Sequence, residues 1–363
     1  MSDNSDKTLK RISPVRIILP MVLGIAGIVY LMYSEFDGKA FSLLTFSGYV
    51  ALFLFFGFVM MAIRDIAYMI RIRVLTGGEL GWKKAFNIIM LWEFTSAITP
   101  GAIGGTSVAV LYIHKEGIPT GKSAAVVMAT SLLDELYFVI MFPLVVLVVG
   151  FSDLFSIGGD TGFSFGNRYF LFAIIAYAIK FCWVLLMAYS LFKNPHFFKK
   201  IIITVFKLPL LRKWGEKAEK AGNDMVSASG ELKMKPFLFW LKAFGATFCS
   251  WTARYWVLNF LLIALIYGIP QDLVQSLPDA GTHLLIWARQ LVMWIMMVIL
   301  PTPGGSGLIE LIFSDYMADF IPLAGLATVM VILWRLVTYY PYLIMGVFVM
   351  PKWVKRVFGK LES

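Results

Sequence analysis

Charge is what this chain has least of. Only 15% of its 363 residues are Asp, Glu, Lys or Arg, against 59% hydrophobic, and mean hydropathy is +0.79. A soluble domain is about a quarter charged and about half apolar, so that class is excluded. Cysteine is nearly absent. Cys182 and Cys249 both lie inside apolar runs, which excludes a disulfide framework. The three histidines, His114, His196 and His283, are far apart in polar connections. No Cys/His spacing suggests a metal site, and neither metal nor cofactor is expected. No Ser/His/Asp set can be assembled from plausible neighbours, so an enzyme is not expected. Acids are scarcer than bases, leaving a net charge of +10. The basic residues fall in blocks between apolar runs, which points to membrane topology rather than to nucleic acid.

What the chain has in quantity is long apolar sequence. A hydrocarbon core of roughly 30 Å takes about 20 helical residues. Six segments are long enough: 15–33, 44–67, 123–149, 169–192, 237–266 and 322–350. The first follows Lys7, Lys10 and Arg11 as a signal peptide would. It contains Pro20 and lacks a small-x-small cleavage site before Glu35, so a retained span is expected. Two further apolar regions, 85–113 and 284–318, are interrupted by "ITPGAIGG" (98–105) and "LPTPGGSG" (300–307). Proline and clustered glycine break helices. Each region is either one broken span or a hairpin that enters the membrane and returns.

The positive-inside rule separates these options. With two re-entrant hairpins, the N-terminus, 71–84, 114–122, 193–236 and 351–363 share one face and carry most of the 32 lysines and arginines. The other face then has Lys39 and Arg168 against acids that include Asp153, Asp160, Asp272 and Asp279. With full crossings, the basic segment 193–236 would lie outside. The expected fold is therefore an all-α integral membrane protein of six spanning helices and two re-entrant hairpins. It forms one transmembrane domain over 1–363. Span, span, hairpin, span occurs twice in opposite orientation, as repeat one (15–149) and repeat two (169–350), joined by the external loop 150–168. Inverted-topology repeats with broken helices are a transporter design whose site lies at the midplane.

At each hairpin tip a half-helix begins, and a helix N-terminus suits a phosphate or carboxylate. Thr106 and Ser107 are candidate caps for the first and Ser306 for the second, with Glu310 in its first turn. Around the turns, Thr99, Gly101, Gly104, Gly105 and Thr106, and then Thr302, Gly304, Gly305, Ser306 and Gly307, are candidate head-group contacts. The deepest charges are Glu93, Asp134, Glu135, Arg254, Arg289, Glu310 and Arg335. Each costs a few kcal/mol at the bilayer centre unless paired or hydrated. The expectation is a hydrated cavity where Arg254, Arg289 and Arg335 meet an anionic head group. Glu93, Asp134, Glu135 and Glu310 would hold the arginines or relay protons. Arg64, Asp65, Lys180 and Lys242 read as span-end or snorkelling residues. In 193–236, "FFKKIIITVFKLPLLRKW" reads as an interfacial helix or basic anchor. "GIPTGKS" (117–123) resembles a phosphate-binding loop, but Glu116 stands where the first glycine is needed.

"PTPGGSGLIE" (301–310), followed by "WRLVTYYPYLIMG" (334–346), resembles the lysylphosphatidylglycerol synthase transmembrane-region family, also called the flippase-like domain family. Pro301, Thr302, Pro303, Gly304, Gly305, Gly307, Glu310, Arg335, Thr338 and Tyr339 all fit. The first motif departs from the family pattern, with "GGTSVAV" after the turn and "ATSLLDEL" around the retained Asp134. In full-length synthases, the resemblance implies, an aminoacyl-transferase domain follows the membrane region. Here a short basic tail follows the last expected span, so aminoacylation is not expected of this chain. The resemblance implies translocation of an anionic or aminoacylated phospholipid, or of a polyprenyl-phosphate lipid, between leaflets. The expected setting is a bacterial cytoplasmic membrane with both termini cytoplasmic. Two other readings stay open: a proton-coupled transporter of a small anion, and a scaffold for a lipid-modifying enzyme. Membrane lipids are the expected partners, with that enzyme as a second candidate.

Overall fold

The structure is a computed structural model. It describes residues 41–358, apart from 99–100, 156–167, 275–276, 298–311, 314–315 and all but scattered positions of 206–231. The expected span 15–33 and the turn 301–310 therefore lie outside the described residues. Everything described is helix or connection, with no strand. The helices are α1 (Gly48–Leu75), α2 (Trp82–Ile98), α3 (Gly101–Lys115), α4 (Thr120–Val149), α5 (Phe151–Phe155), α6 (Arg168–Phe192) and α7 (Pro195–Val205). They continue with α8 (Phe237–Tyr267), α9 (Ala280–Met296), α10 (Ala327–Thr338) and α11 (Tyr340–Phe358).

Among the described residues, five stretches are long and apolar enough to cross a membrane: α1, α4, α6, α8 and the run Ala327–Val357 formed by α10 and α11. They match five of the six expected spans. Their outward faces are greasy. On α1 the exposed side chains are Tyr49, Leu52, Phe55, Phe58, Ile66 and Ile70, the three-and-four spacing of a lipid-facing stripe.

α1 overruns its expected end at residue 67. Nothing breaks the helix before Thr76, after which Gly77 (φ 69°) and Gly78 (φ 85°) take the left-handed conformation that ends helices. The extension carries Arg71 into the membrane-spanning helix. The last span shows the opposite departure. It opens on short 3₁₀ turns and breaks at Tyr339, two residues before Pro341. Pro341 supplies no N–H for the Val337 carbonyl four residues back, and its ring crowds that carbonyl, so the helical ladder is interrupted there.

α1 and α8 run antiparallel along most of their length. Tyr49 stacks on Tyr267 at 5.2 Å between ring centroids and Phe56 meets Phe260 at 5.5 Å. Farther along, Arg71 Nη1 donates to Thr247 Oγ1 at 3.1 Å.

α2 and α3 pair as an antiparallel hairpin. Lys84 Nζ, near the start of α2, donates to the Glu116 carbonyl just past α3 at 2.7 Å. Near the tip, a Cβ added at Gly105 would collide with Ser96, whose Cα would lie 3.0 Å away. Side chains larger than glycine would separate the arms. The 17 and 15 residues of these helices reach about 26 and 22 Å, less than a full crossing. α3 begins directly after Pro100 in the sequence, so Thr106 lies inside the helix rather than at its cap. A proline at a helix start is pre-set for helical φ, and the following glycines do not stop propagation.

Candidate functional site

Building outward from α1, three residues spaced four and three apart, Arg64, Tyr68 and Arg71, share one helix face. Both guanidinium groups sit over the Tyr68 ring, each 4.6 Å from its centroid. Arg64 is 1% exposed. Its Nη1 bonds Asp65 Oδ1 at 2.8 Å and Tyr342 Oη at 2.9 Å, and its Nη2 pairs with Glu93 Oε2 at 2.6 Å. The Tyr342 hydroxyl in turn donates to the Asp65 carboxylate, 2.9 Å from both oxygens. Three elements thus converge on one buried guanidinium: α1, the first arm of the hairpin, and α11.

Arg71 closes on Asp134 of α4 with both Nη atoms, at 2.5 and 3.3 Å. The same carboxylate accepts from Trp251 Nε1 at 2.7 Å. That bond fixes the indole, and the indole is half of the seat for Arg254. The Arg254 guanidinium lies 5.5 Å from the Trp251 centroid and 4.5 Å from that of Trp294 on α9. The two indoles are 5.4 Å apart. Arg254 is half-buried and, among the described residues, makes neither a hydrogen bond nor an ion pair. Arg64, Tyr68 and Glu93 are within its electrostatic reach. Cation–π contact holds a guanidinium in place without using its N–H donors. Five donors on a fixed planar fork are what a phosphate or carboxylate takes up bidentately.

The remaining expected charges are placed elsewhere. Glu135 pairs with Lys180 of α6 at 2.6 Å, tying α4 to α6. Arg289 donates to the Asp153 carbonyl from Nε and Nη2, and pairs with Asp319 at 2.6 Å. Arg289 therefore serves the acidic end of the bundle, with Tyr316 bonded alongside to the Leu154 carbonyl at 2.8 Å. Arg335 is 5% exposed and lies 4.9 Å from the Tyr339 ring, whose hydroxyl donates to the Ala97 carbonyl at the hairpin. Asp134 and Glu135 hold cations, but Arg71 and Lys180 rather than the three arginines expected, and no described contact joins those three.

Of the hairpin positions, Gly101 and Gly104 are helical, Gly105 is buried against Ser96, and Thr106 is half-buried within α3. Thr99, Thr302, Gly304, Gly305, Ser306, Gly307 and Glu310 lie outside the described residues. No group of three or more potential metal ligands occurs among the described residues. Tyr68, Arg71, Trp251, Trp294 and Tyr342 are residues that reading the sequence does not single out, and Arg64 and Asp65 read there only as span-end residues. The four-and-three spacing of Arg64, Tyr68 and Arg71 is the available signal. The basic blocks at a span end mask it.

Comparison with known proteins agrees with this picture of a membrane bundle. The chain is 28% identical over 293 residues to a UPF0104 membrane protein of Archaeoglobus fulgidus, an alignment covering 77% of this chain and 80% of that protein. No solved structure matches. The family model described as the lysylphosphatidylglycerol synthase TM region matches residues 17–346, and the chain belongs to that family of integral membrane proteins.

Proposed function

We propose that the protein moves a phosphate-bearing lipid between leaflets: an anionic or aminoacylated phospholipid, or a polyprenyl phosphate. Arg254 is the cation that receives the phosphate. The carrying observation is its setting, an arginine in a membrane-spanning helix, resting against two neighbouring indoles, with every N–H unspent on described residues. An arginine at membrane depth whose N–H groups are unspent on described side chains has its donor fork available to an anion that comes and goes.

The hairpin supports this reading. Its arms are short for a crossing and Lys84 and Glu116 meet at its open end, the behaviour of a re-entrant element entering from the basic face. Broken backbone at membrane depth is tolerated only where it is buried or lines a cavity. In the proposed inverted repeat, α1 and α8 are equivalent spans, and they pack antiparallel. Arg64 and Arg254 then occupy corresponding faces, each against the first arm of its own hairpin. In one half the arginine meets Glu93; in the other it meets Trp294. This asymmetry leaves one arginine ion-paired and its counterpart open to ligand. The basic face, with 193–236 and both termini, is the cytoplasmic one.

Lipid analysis of the purified protein tests the proposal. Phosphate-bearing anionic lipid should be enriched over its share in the host membrane, and Arg254→Gln should lose that enrichment while eluting as wild type. Equal lipid profiles in the two proteins would sink the assignment. A small-anion carrier would instead retain no lipid and would load phosphate into liposomes.

A further inference from the structure

The acids around Arg64 outnumber the guanidinium they share. Asp65 and Glu93 both close on it, at 2.8 and 2.6 Å, whereas Asp134 and Glu135 each have a cation of their own in Arg71 and Lys180. A carboxylate with its own contact cation gains little from a proton. Two carboxylates sharing one arginine leave one negative charge without a contact cation of its own.

The ion-paired groups on α1, α2, α4 and α6 named above, together with Arg254, carry equal numbers of positive and negative charges. Arg64 and Arg254 offset Asp65 and Glu93, and Arg71 offsets Asp134. The other groups facing the pair are Tyr68, between the two α1 guanidiniums, and Tyr342, donating to Asp65. Arg335 touches neither carboxylate. A monoanionic phosphate ester arriving on Arg254 leaves one surplus negative charge at membrane depth, and such a charge costs a few kcal/mol when uncompensated. One proton on the acid pair removes it.

Resting on the reading of Arg254 above, we infer that the Asp65–Glu93 pair takes up a proton when a lipid phosphate ester binds Arg254, so that lipid binding is coupled to protons. The proton comes from water and ends on a carboxylate oxygen. Arg64 keeps the carboxylate that stays charged, and no bond of the lipid is made or broken.

The test uses the full chain in dodecyl maltoside, titrated with dioctanoyl-phosphatidylglycerol and, as control, dioctanoyl-phosphatidylcholine. Tryptophan fluorescence, with Trp251 and Trp294 beside the seat, reports binding; a pH-indicator dye in weak buffer reports protons. Wild type should take up about one proton per phosphatidylglycerol, and its affinity should fall by up to about tenfold per pH unit over the interval in which the proton is taken up. Glu93→Gln and Asp65→Asn should each bind without proton uptake and with affinity independent of pH. Wild-type binding with no proton uptake and a flat pH dependence overturns the coupling, whatever the variants do. Failure to prefer phosphatidylglycerol over phosphatidylcholine, or Arg254→Gln binding as wild type, instead overturns the head-group reading and this inference with it.

Discussion

At the scale of residues, three arginines in neighbouring positions have three different jobs. Arg64 is held through both Nη atoms by two acids and a tyrosine, Arg71 is paired with one acid, and Arg254 rests on indole faces. The Arg71–Asp134 pair is structural on this account. Removing Asp134 alone, as Asp134→Ala, leaves Arg71 uncompensated and should cost about 3 kcal/mol or more. Removing both partners should cost clearly less than the two single losses together. A double-mutant cycle on unfolding in detergent should return a coupling of about 1–3 kcal/mol; additive losses would show that the contact is incidental. Arg254 and Asp134 are legible in the sequence as deep charges, because both sit centrally in long apolar runs. Arg64 and Arg71 look like span-end residues there, because hydropathy sets the end of α1 too early. No local pattern marks Trp251 or Trp294 as the seat, since tryptophan is common along membrane helices and only packing brings these two rings together.

At the scale of elements, close approach and helix ends decide how the described helices pack. Gly105 lets α3 approach α2 where Ser96 would otherwise obstruct. Gly105→Ala should destabilise the protein by about 1–3 kcal/mol through overpacking, read as a lowered Tm in detergent; an unchanged Tm would mean the arms are free to part. At the opposite face, Asp279 caps α9. Its side chain accepts from the Thr282 amide and hydroxyl, each at 2.7 Å. Those hydrogen bonds hold its carboxyl below the usual range. A depressed carboxylate stabilises the fold above its unfolded pKa, and that contribution disappears as pH falls through the folded value. Protection of the first turn of α9 from hydrogen exchange should therefore be flat through neutral pH and fall only in strong acid. Asp279→Ala should lower it throughout. The positions of five spans are legible from hydropathy alone. Boundaries are less so: the Gly77–Gly78 stop, the break before Pro341 and the early start of α3 depend on local backbone choices that hydropathy does not record.

At the scale of the whole molecule, the arrangement rests on which ends share a face. In a variant with Cys182 and Cys249 replaced by alanine, Lys83→Cys and His114→Cys should react with a membrane-impermeant maleimide from one side. Asp272→Cys should react from the other. Labelling of positions 83 and 114 from opposite sides would turn the first hairpin into a single broken span and remove the inverted repeat. Charge asymmetry is the sequence's whole argument for the expected topology, because lysines and arginines crowd the segments assigned to one face. Balance inside the bundle is not legible there, since it depends on which acid reaches which base. The claim that joins the scales is that Arg254 carries a lipid phosphate across the membrane. Leaflet exchange of a fluorescent phosphatidylglycerol in proteoliposomes, followed by dithionite quenching, tests it most directly. Wild type should expose the inner-leaflet probe well above protein-free liposomes, and Arg254→Gln should slow that exchange at least about tenfold, the loss of a charge-assisted contact worth about 1.4 kcal/mol or more. Exchange at the wild-type rate in Arg254→Gln would contradict the account.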